Sequence, residues 1–341
     1  MNILVDLAHP AHFHFFSPAI NRWRLEDHKV VVTARRKDVL LDLLKEAGEE
    51  AHVISGVRNG RIGQATELLQ RIRSLIPIIR TNEIEVLTAV GGVSVSHAAR
   101  LSGRPSLIWT NNENARLSNN ITLPFASCVA TPTSFIGNWG TKHRRYRGNH
   151  ERAYIPRDFG KPDRGVLSEW GLDPDRPFSL VRLVSWQASH DKGHHGLIED
   201  DVKRLTIHLE QYGQVALSIE GECPEIFEKW VRPIPPSRMR EAIALASCYI
   251  GEGATMASEA ALMGVPNICF STIRLGYLEE LESKFGLVRC ISDLDQALGQ
   301  IDKWFADPHL TSTFQQKRER FYEETDPVDE LLHDWVLELA G

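Results

Sequence analysis

The chain has 341 residues, 42% hydrophobic and 25% charged, a balance that fits a soluble globular protein with room for two domains of about 150 residues each. A net charge of −6 removes any general attraction to nucleic acid or an anionic membrane, and no stretch reaches the roughly 20 apolar residues of a membrane span. The five cysteines (Cys128, Cys223, Cys248, Cys269, Cys290) are scattered through apolar runs without zinc-site spacing, so they read as buried thiols in a reducing compartment. The amino terminus MNILVDLAHP has no basic or long apolar region of a signal peptide, which makes the cytoplasm the expected location.

Asn2 to Leu7 is a continuous apolar strand, as expected in a parallel sheet covered on both faces. It runs into Ala8-His9-Pro10-Ala11-His12-Phe13-His14, and three histidines at the carboxyl end of a first strand lie where open α/β sheets place ligand-contacting loops. Phe15, Ile20 and Trp23 supply a helix ending near Asp27-His28. Lys29 to Ala34 predicts a second strand, Asp38 to Ala47 an amphipathic helix, and Ala51 to Ser55 a third strand. Val57 to Gly63 reads as a mobile loop, and Gln64 to Arg80 as a long helix bent near its end by Pro77. Ile84 to Ala89, closed by Gly91-Gly92, is the next strand, followed by a helix over Val93 to Leu101, a strand over Ser106 to Thr110 and a polar loop Asn111-Asn112-Glu113-Asn114. A short strand near Cys128-Val129-Ala130 completes the first half.

Gly137 to Gly165, rich in Gly, Pro, Arg and Lys, marks a domain boundary. Phe178 to Leu183 restarts the pattern as a buried strand. Next come a polar loop from Ser185 to Gly196, a helix over Leu197 to Tyr212, a strand over Val215 to Ile219 and a helix over Ser237 to Ala246. Helices over Leu278 to Phe285 and Leu294 to Phe305 flank a strand over Val288 to Ile291, and two terminal helices meet at Asp326-Pro327. The expected division is 1–155, 156–310 and a helical tail, 311–341, returning toward the first domain. Each half is an alternating β/α sheet, so the expected fold class is α/β with two doubly wound Rossmann-like domains facing a cleft that holds the ligand.

The most informative stretch is Cys248 to Phe270 (CYIGEGATMASEAALMGVPNICF), a β-turn-α-β unit. Gly251 and Gly253 are free to take positive φ, and Thr255 has the chemistry of an N-cap. Gly264 and Pro266 stop the helix. A turn of backbone N–H groups at a helix start suits a diphosphate, and Glu259 lies where its carboxylate can accept from two sugar hydroxyls. The nucleotide-diphosphate clamp so read comprises Gly251, Gly253, Ala254, Thr255, Ser258 and Glu259. The plain alternative is that the glycines serve tight packing and Glu259 is a solvated helix residue.

These pieces carry a resemblance. Asp6 with His9 to Phe16, Gly91-Gly92-Val93-Ser94, Asn112-Glu113-Asn114 with Asn120, and Gly251 to Pro266 occur in this order across most of the chain. Together they resemble the DUF354 family, whose members are similar to GT-B glycosyltransferases, including the lipid-linked N-acetylglucosaminyltransferase of peptidoglycan synthesis, and to UDP-N-acetylglucosamine 2-epimerase. The resemblance implies a GT-B fold, a UDP-sugar donor in the second domain, Glu259 on its ribose, and inverting transfer to a sugar or lipid-linked acceptor in the first. The alternatives are a UDP-sugar 2-epimerase or a non-catalytic nucleotide-sugar-binding protein. Retaining enzymes of this type often carry two glutamates eight positions apart, whereas Glu252 and Glu259 are seven apart, so that pair is not carried over.

Inverting transfer needs a base for the acceptor hydroxyl and positive groups for the departing diphosphate. His12 is the first candidate base, with His9 and His14 as alternates and Asp6 to orient a ring; a ring bonded inside the fold is the competing reading. Glu113 could hold sugar hydroxyls and is the third catalytic candidate. Arg182 and Ser185 follow a strand toward the donor phosphates, with a surface ion pair as the alternative for Arg182. No Asp-x-Asp pair or ordered ligand spacing calls for a metal, including in the loop His190-Asp191-Lys192-Gly193-His194-His195, and no cofactor is implied. Phe15-Phe16 read as core residues, with membrane contact the alternative if the acceptor is a lipid.

Overall fold

The computed structural model describes residues 1–37, 39–183, 197–221 and 223–341. Along the chain the elements are β1 Asn2–Leu7, α1 Pro10–Leu25, β2 Lys29–Arg36, α2 Leu40–Glu46, β3 Ala51–Gly56, α3 Gly60–Thr81, β4 Val86–Val90, α4 Val93–Leu101, β5 Ser106–Trp109, α5 Arg116–Thr122, β6 Cys128–Pro132 and β7 His143–Tyr146. After α6 Val166–Glu169 come β8 Phe178–Leu183, α7 Glu199–Leu209, β9 Gln214–Ile219, α8 Met239–Leu245, β10 Cys248–Gly251, α9 Ala254–Leu262 and β11 Asn267–Phe270. The chain closes with α10 Gly276–Glu280, a π-helical turn Leu281–Phe285, β12 Arg289–Ile291, α11 Leu294–Phe305, α12 Leu310–Glu324 and α13 Val328–Ala340.

Two compact units result: 1–154 with 275–277 and 325–341, and 155–274 with 278–324. The terminal helices are divided between them, α12 in the second unit and α13 in the first. The first unit contains a seven-stranded sheet in the order β3-β2-β1-β4-β5-β6-β7, all pairs parallel. Period-two alternation in β1 serves both faces. Ile3, Val5 and Leu7 join Phe15, Phe16 and Trp23 of α1 and Val328, Leu332 and Val336 of α13, whereas Leu4 joins Leu75 and Ile79 of α3 and Val95 of α4. Phe15 and Phe16 are therefore core residues, 2% and 0% exposed, and are not available to a membrane surface.

Two elements of this unit differ from the sequence reading. β7 lies inside the stretch read as a domain boundary; it is an edge strand with the sequence HRRY, and only Tyr146 is fully buried. Charged side chains on an edge discourage further pairing and remove the apolar run by which a strand is recognised. α3 begins at Gly60, inside the expected loop, and passes Pro77 to reach Thr81. A further short helix, α5, is polar in sequence (RLSNNIT) and is tied down by Asn119 Nδ2 donating to the Asn112 carbonyl and Thr122 Oγ1 to that of Gly91.

The second unit has a five-stranded parallel sheet, β12-β11-β10-β8-β9. α9 is buried from Ala257 to Leu262, its small residues allowing close approach to the sheet. α12 secures the carboxyl end of α9: buried Arg318 donates from Nε to the Leu262 carbonyl at 2.8 Å, and Gln315 Nε2 donates to that of Met263 at 3.2 Å. Gly264 ends α9 with φ of +70°, as its place after the helix predicts. Among the described residues no helix is long and apolar enough to cross a membrane.

Candidate functional site

In the second sheet the order reverses between β8 and β10, since β9 lies on one side of β8 and β10 on the other. At such a switch point the loops at the carboxyl ends of the strands diverge and leave room for a ligand. The glycine turn is at this place. β10 ends at Gly251, the Glu252 amide continues the ladder by donating to the Arg182 carbonyl at 3.3 Å, and α9 starts at Ala254 with Gly253 as its N-cap. Gly253 has no side chain to cap the helix, so the first amides of α9 have no intrahelical acceptor.

Two local expectations are corrected. Thr255 is the second residue of α9, not its cap, because the backbone is already helical at Ala254. Gly251 and Gly253 do not adopt positive φ; Gly253 has φ −86° and ψ 118°. Gly251 is required for space: a Cβ there would lie 2.1 Å from the Tyr249 hydroxyl and 3.1 Å from the Arg182 carbonyl oxygen.

Ser258 is fully buried and Glu259 is 5% exposed, so Glu259 is not the solvated helix residue of the plain alternative. Arg182 points along the sheet toward β9, donating to Ser218 Oγ and Glu220 Oε1, each at 2.6 Å, while its Nε is buried without an acceptor. The Glu252 carboxylate accepts the Leu197 amide at 2.8 Å, just ahead of α7. Ser185 and the histidine loop 190–195 lie outside the described residues. Burial pushes the Cys248 and Cys269 thiols up to about 12, which makes both poor nucleophiles at neutral pH.

The first sheet reverses between β1 and β4, and a cavity of about 300 Å³ opens there, lined by Asp6, Glu67, Arg71, Gly91, Gly92 and Ser94 among others. Asp6 shares the α3-facing side of β1 with Leu4. Arg71 Nη2 donates to Asp6 Oδ2 at 2.5 Å, Nη1 to Ser55 Oγ at 2.9 Å and Nε to Ser94 Oγ at 3.2 Å, and Thr33 Oγ1 donates to Asp6 Oδ1 at 2.7 Å. Asp6 thus serves Arg71 and Thr33, not a histidine ring. Arg35 grips Glu67 with two bonds, at 2.6 and 2.8 Å, and Ser55 Oγ and the Arg58 amide donate to the same carboxylate. Burial opposes the Glu67 charge, but Arg35 and these donors outweigh it and hold its pKa below the ordinary range.

The histidines are close by. His9 is the N-cap of α1, its Nδ1 accepting from the Ala11 amide at 3.2 Å, and His12 Nδ1 accepts from the Ala8 amide at 3.3 Å. The two rings are 5.9 Å apart, and His14 packs near Tyr154. Burial holds His12 well below its ordinary pKa, with His9, His150, Lys37 and Arg71 acting in the same direction. Glu113, beyond β5, accepts the Gly276 amide at Oε1 (3.2 Å), while its Oε2 is buried without a hydrogen bond. Gly276 is needed for this approach, because a Cβ would lie 2.7 Å from Glu113 Oε1 and 2.3 Å from the Ser134 carbonyl oxygen.

The sequence reading named His9, His12 and Glu113 as candidates and Ser94 within the Gly91–Ser94 motif, but did not single out Arg35, Glu67 or Arg71, which the structure places with Asp6 at this corner. One signal was present: Glu67 and Arg71, four apart, border the apolar stripe Leu68, Ile72, Leu75 and Ile79 of α3, where charges need partners from within the fold.

Residues 1–307 match the family described as "Protein of unknown function (DUF354)". The chain belongs to this family. It is 22% identical over 314 residues to the uncharacterized protein MJ0665 of Methanocaldococcus jannaschii, spanning 89% of this chain and 91% of that one. Among solved structures it is similar to UDP-GlcNAc 2-epimerase from Neisseria meningitidis bound to UDP-GlcNAc (TM-score 0.71, 10% identity, 99% of each chain). It is also similar to the spinosyn forosaminyltransferase SpnP (TM-score 0.65, 15% identity, all of each chain). The two doubly wound sheets of this DUF354 chain are thus those of the GT-B fold, which these epimerases and glycosyltransferases share.

Proposed function

We propose that this DUF354 protein is a glycosyltransferase that takes a sugar from a UDP-sugar. The observation that carries the reading is the uncapped start of α9 at the β8/β10 switch point, with the buried carboxylate of Glu259 in the same helix. In this reading the amides at 253–255 hold the diphosphate and Glu259 accepts from the ribose hydroxyls. Glu113, with one oxygen lacking a hydrogen bond, takes the proton of the acceptor hydroxyl. The acceptor oxygen then bonds to the anomeric carbon, and the carbon–oxygen bond to the diphosphate breaks with its electron pair leaving on UDP. The GT-B neighbours support a UDP-sugar, since one is bound to UDP-GlcNAc and another is a sugar transferase by name.

UDP or UDP-N-acetylglucosamine should raise the melting temperature of the protein, and Glu259→Ala should abolish that rise. Loss of hydrogen bonds to a charged group, roughly 1.5–3 kcal/mol each, weakens UDP at least about tenfold. Absence of a shift with every member of a nucleotide-sugar panel would reject the reading. A 2-epimerase is the second reading, favoured by the TM-score of 0.71 to the Neisseria meningitidis enzyme. Incubation with UDP-N-acetylglucosamine alone separates the two, because only an epimerase forms a new UDP-sugar without an acceptor.

A further inference from the structure

The hydrogen bonds at the start of α1 determine which nitrogen of His12 carries the proton. A backbone amide can only donate, so the Ala8 N–H that meets His12 Nδ1 at 3.3 Å requires a lone pair on that nitrogen. The neutral ring then carries its one proton on Nε2, which has no hydrogen-bond partner among the described residues. His9 is fixed in the same tautomer by the Ala11 amide.

The sole basic atom of His12 is therefore turned inward against a backbone N–H. Protonating it would break that bond and set two N–H groups against each other. The charged and titratable groups that act on the ring come from four elements: His9 at the cap of α1, Lys37 after β2, Arg71 on α3 and His150 on the 3-10 turn His150–Ala153. Each is positive or becomes so on protonation. Burial also disfavours a second proton, so the ring remains a neutral donor at neutral pH.

We propose that His12 acts as a hydrogen-bond donor through Nε2–H to a substrate oxygen, and not as a base, its tautomer being fixed by the Ala8 amide. On the transferase reading above, on which this assignment rests, a preorganised donor serves a substrate oxygen that gains negative charge during transfer. The proton of the acceptor hydroxyl is then left to Glu113. His12 differs in this from the base expected on sequence grounds: the sequence places an imidazole at the turn, but the fold spends its lone pair on the turn itself.

The tautomer is measurable without any substrate. The full chain is labelled with 15N-histidine, His12 is assigned by the signals lost in His12→Gln, and long-range 1H–15N correlation spectra are recorded between roughly pH 6 and 8. The expected result is an unprotonated Nδ1 and a protonated Nε2 throughout; a proton on Nδ1, or an imidazolium near pH 6, overturns the proposal. The second arm uses turnover. Glutamine can donate but cannot accept a proton, so His12→Gln should keep kcat within about tenfold of the parent and preserve the acid limb of its pH profile. His12→Ala should lose about 10²–10³ in kcat, the cost of removing one donor to a developing oxyanion, and Glu113→Gln should remove the acid limb. Equal collapse of the Gln and Ala variants, with the acid limb lost in His12→Gln, overturns the donor role. Failure of every UDP-sugar to bind would reject the transferase reading and leave the tautomer result standing, so the two failures are distinguishable.

Discussion

The two units share the doubly wound parallel plan, with different strand orders, and furnish its critical corner in opposite ways. At the β1/β4 switch of the first unit, side chains fill the role: the buried pair Asp6–Arg71 and the part-buried pair Glu67–Arg35 are bridged by Ser55 beside His9 and His12. At the β8/β10 switch of the second unit the backbone does so, through Gly251, Gly253 and the start of α9, whose N-cap Gly253 offers no side chain. A corner made of backbone amides presents donors in a fixed array and suits binding of an oxyanion whatever it is attached to. A corner made of paired charges is held rigid by its partners and can place single groups accurately, which suits chemistry. The same contrast separates the two arginines. Arg71 is 94% buried and bonded on all sides, its partner Asp6 only 2% exposed, whereas the partner of Arg182, Glu220, is half exposed.

The comparison can be broken at its strongest point first. Arg71→Met leaves Asp6 buried without its counter-charge, and should cost about 3–5 kcal/mol in a urea unfolding curve. A loss under about 1 kcal/mol would show that the first corner is not held by charge pairing. Next is acid. Burial lowers the pKa of His150 to about 3, whereas an unfolded histidine titrates near 6.5. Between these values the unfolded chain binds more protons than the folded one, so the stabilisation is complete above about pH 6.5 and is lost as pH falls toward 3. The slope for this one ring is at most about 1.4 kcal/mol per pH unit, and His12, also lowered, acts in the same direction. Unfolding free energies measured from pH 7 down to 4 should show the decline, and His150→Phe should flatten it. The smallest effect is expected in the second corner. Gly251→Ala drives a methyl group into Tyr249 and should cost about 1–3 kcal/mol, read as a lower melting temperature together with weaker UDP binding. A neutral result would mean that the corner has more room than its packing indicates.

Much of the fold was legible because its signals are local. Both buried strands that lead into the corners, Asn2–Leu7 and Phe178–Leu183, have the bounds expected from their apolar runs, as do α4 and α11. β7 and α5 were not legible, since their residues are polar and their positions are secured by contacts outside themselves, such as the Arg145 guanidinium on the carbonyls of Thr133 and Phe135. In the candidate site, the histidine turn, Glu113 and the glycine turn were readable as residue types at strand ends. Arg71 was not, because its partner Asp6 is 65 positions away and nothing in either neighbourhood names the other.

Alternation of apolar runs with helical periods, punctuated by Gly264 and the Gly91-Gly92 pair, was enough by itself to indicate two doubly wound parallel sheets and the bounds of β1 and β8, but not the edge strand β7. Tertiary structure alone decided that Gly251 is present for space and not for φ, that Glu259 is buried, that Asp6 meets Arg71, and that the lone pair of His12 is engaged. The physical reason is range. Periodicity and turn chemistry are written in consecutive residues, whereas the partner of a buried polar atom is chosen by whichever distant segment the completed fold brings against it.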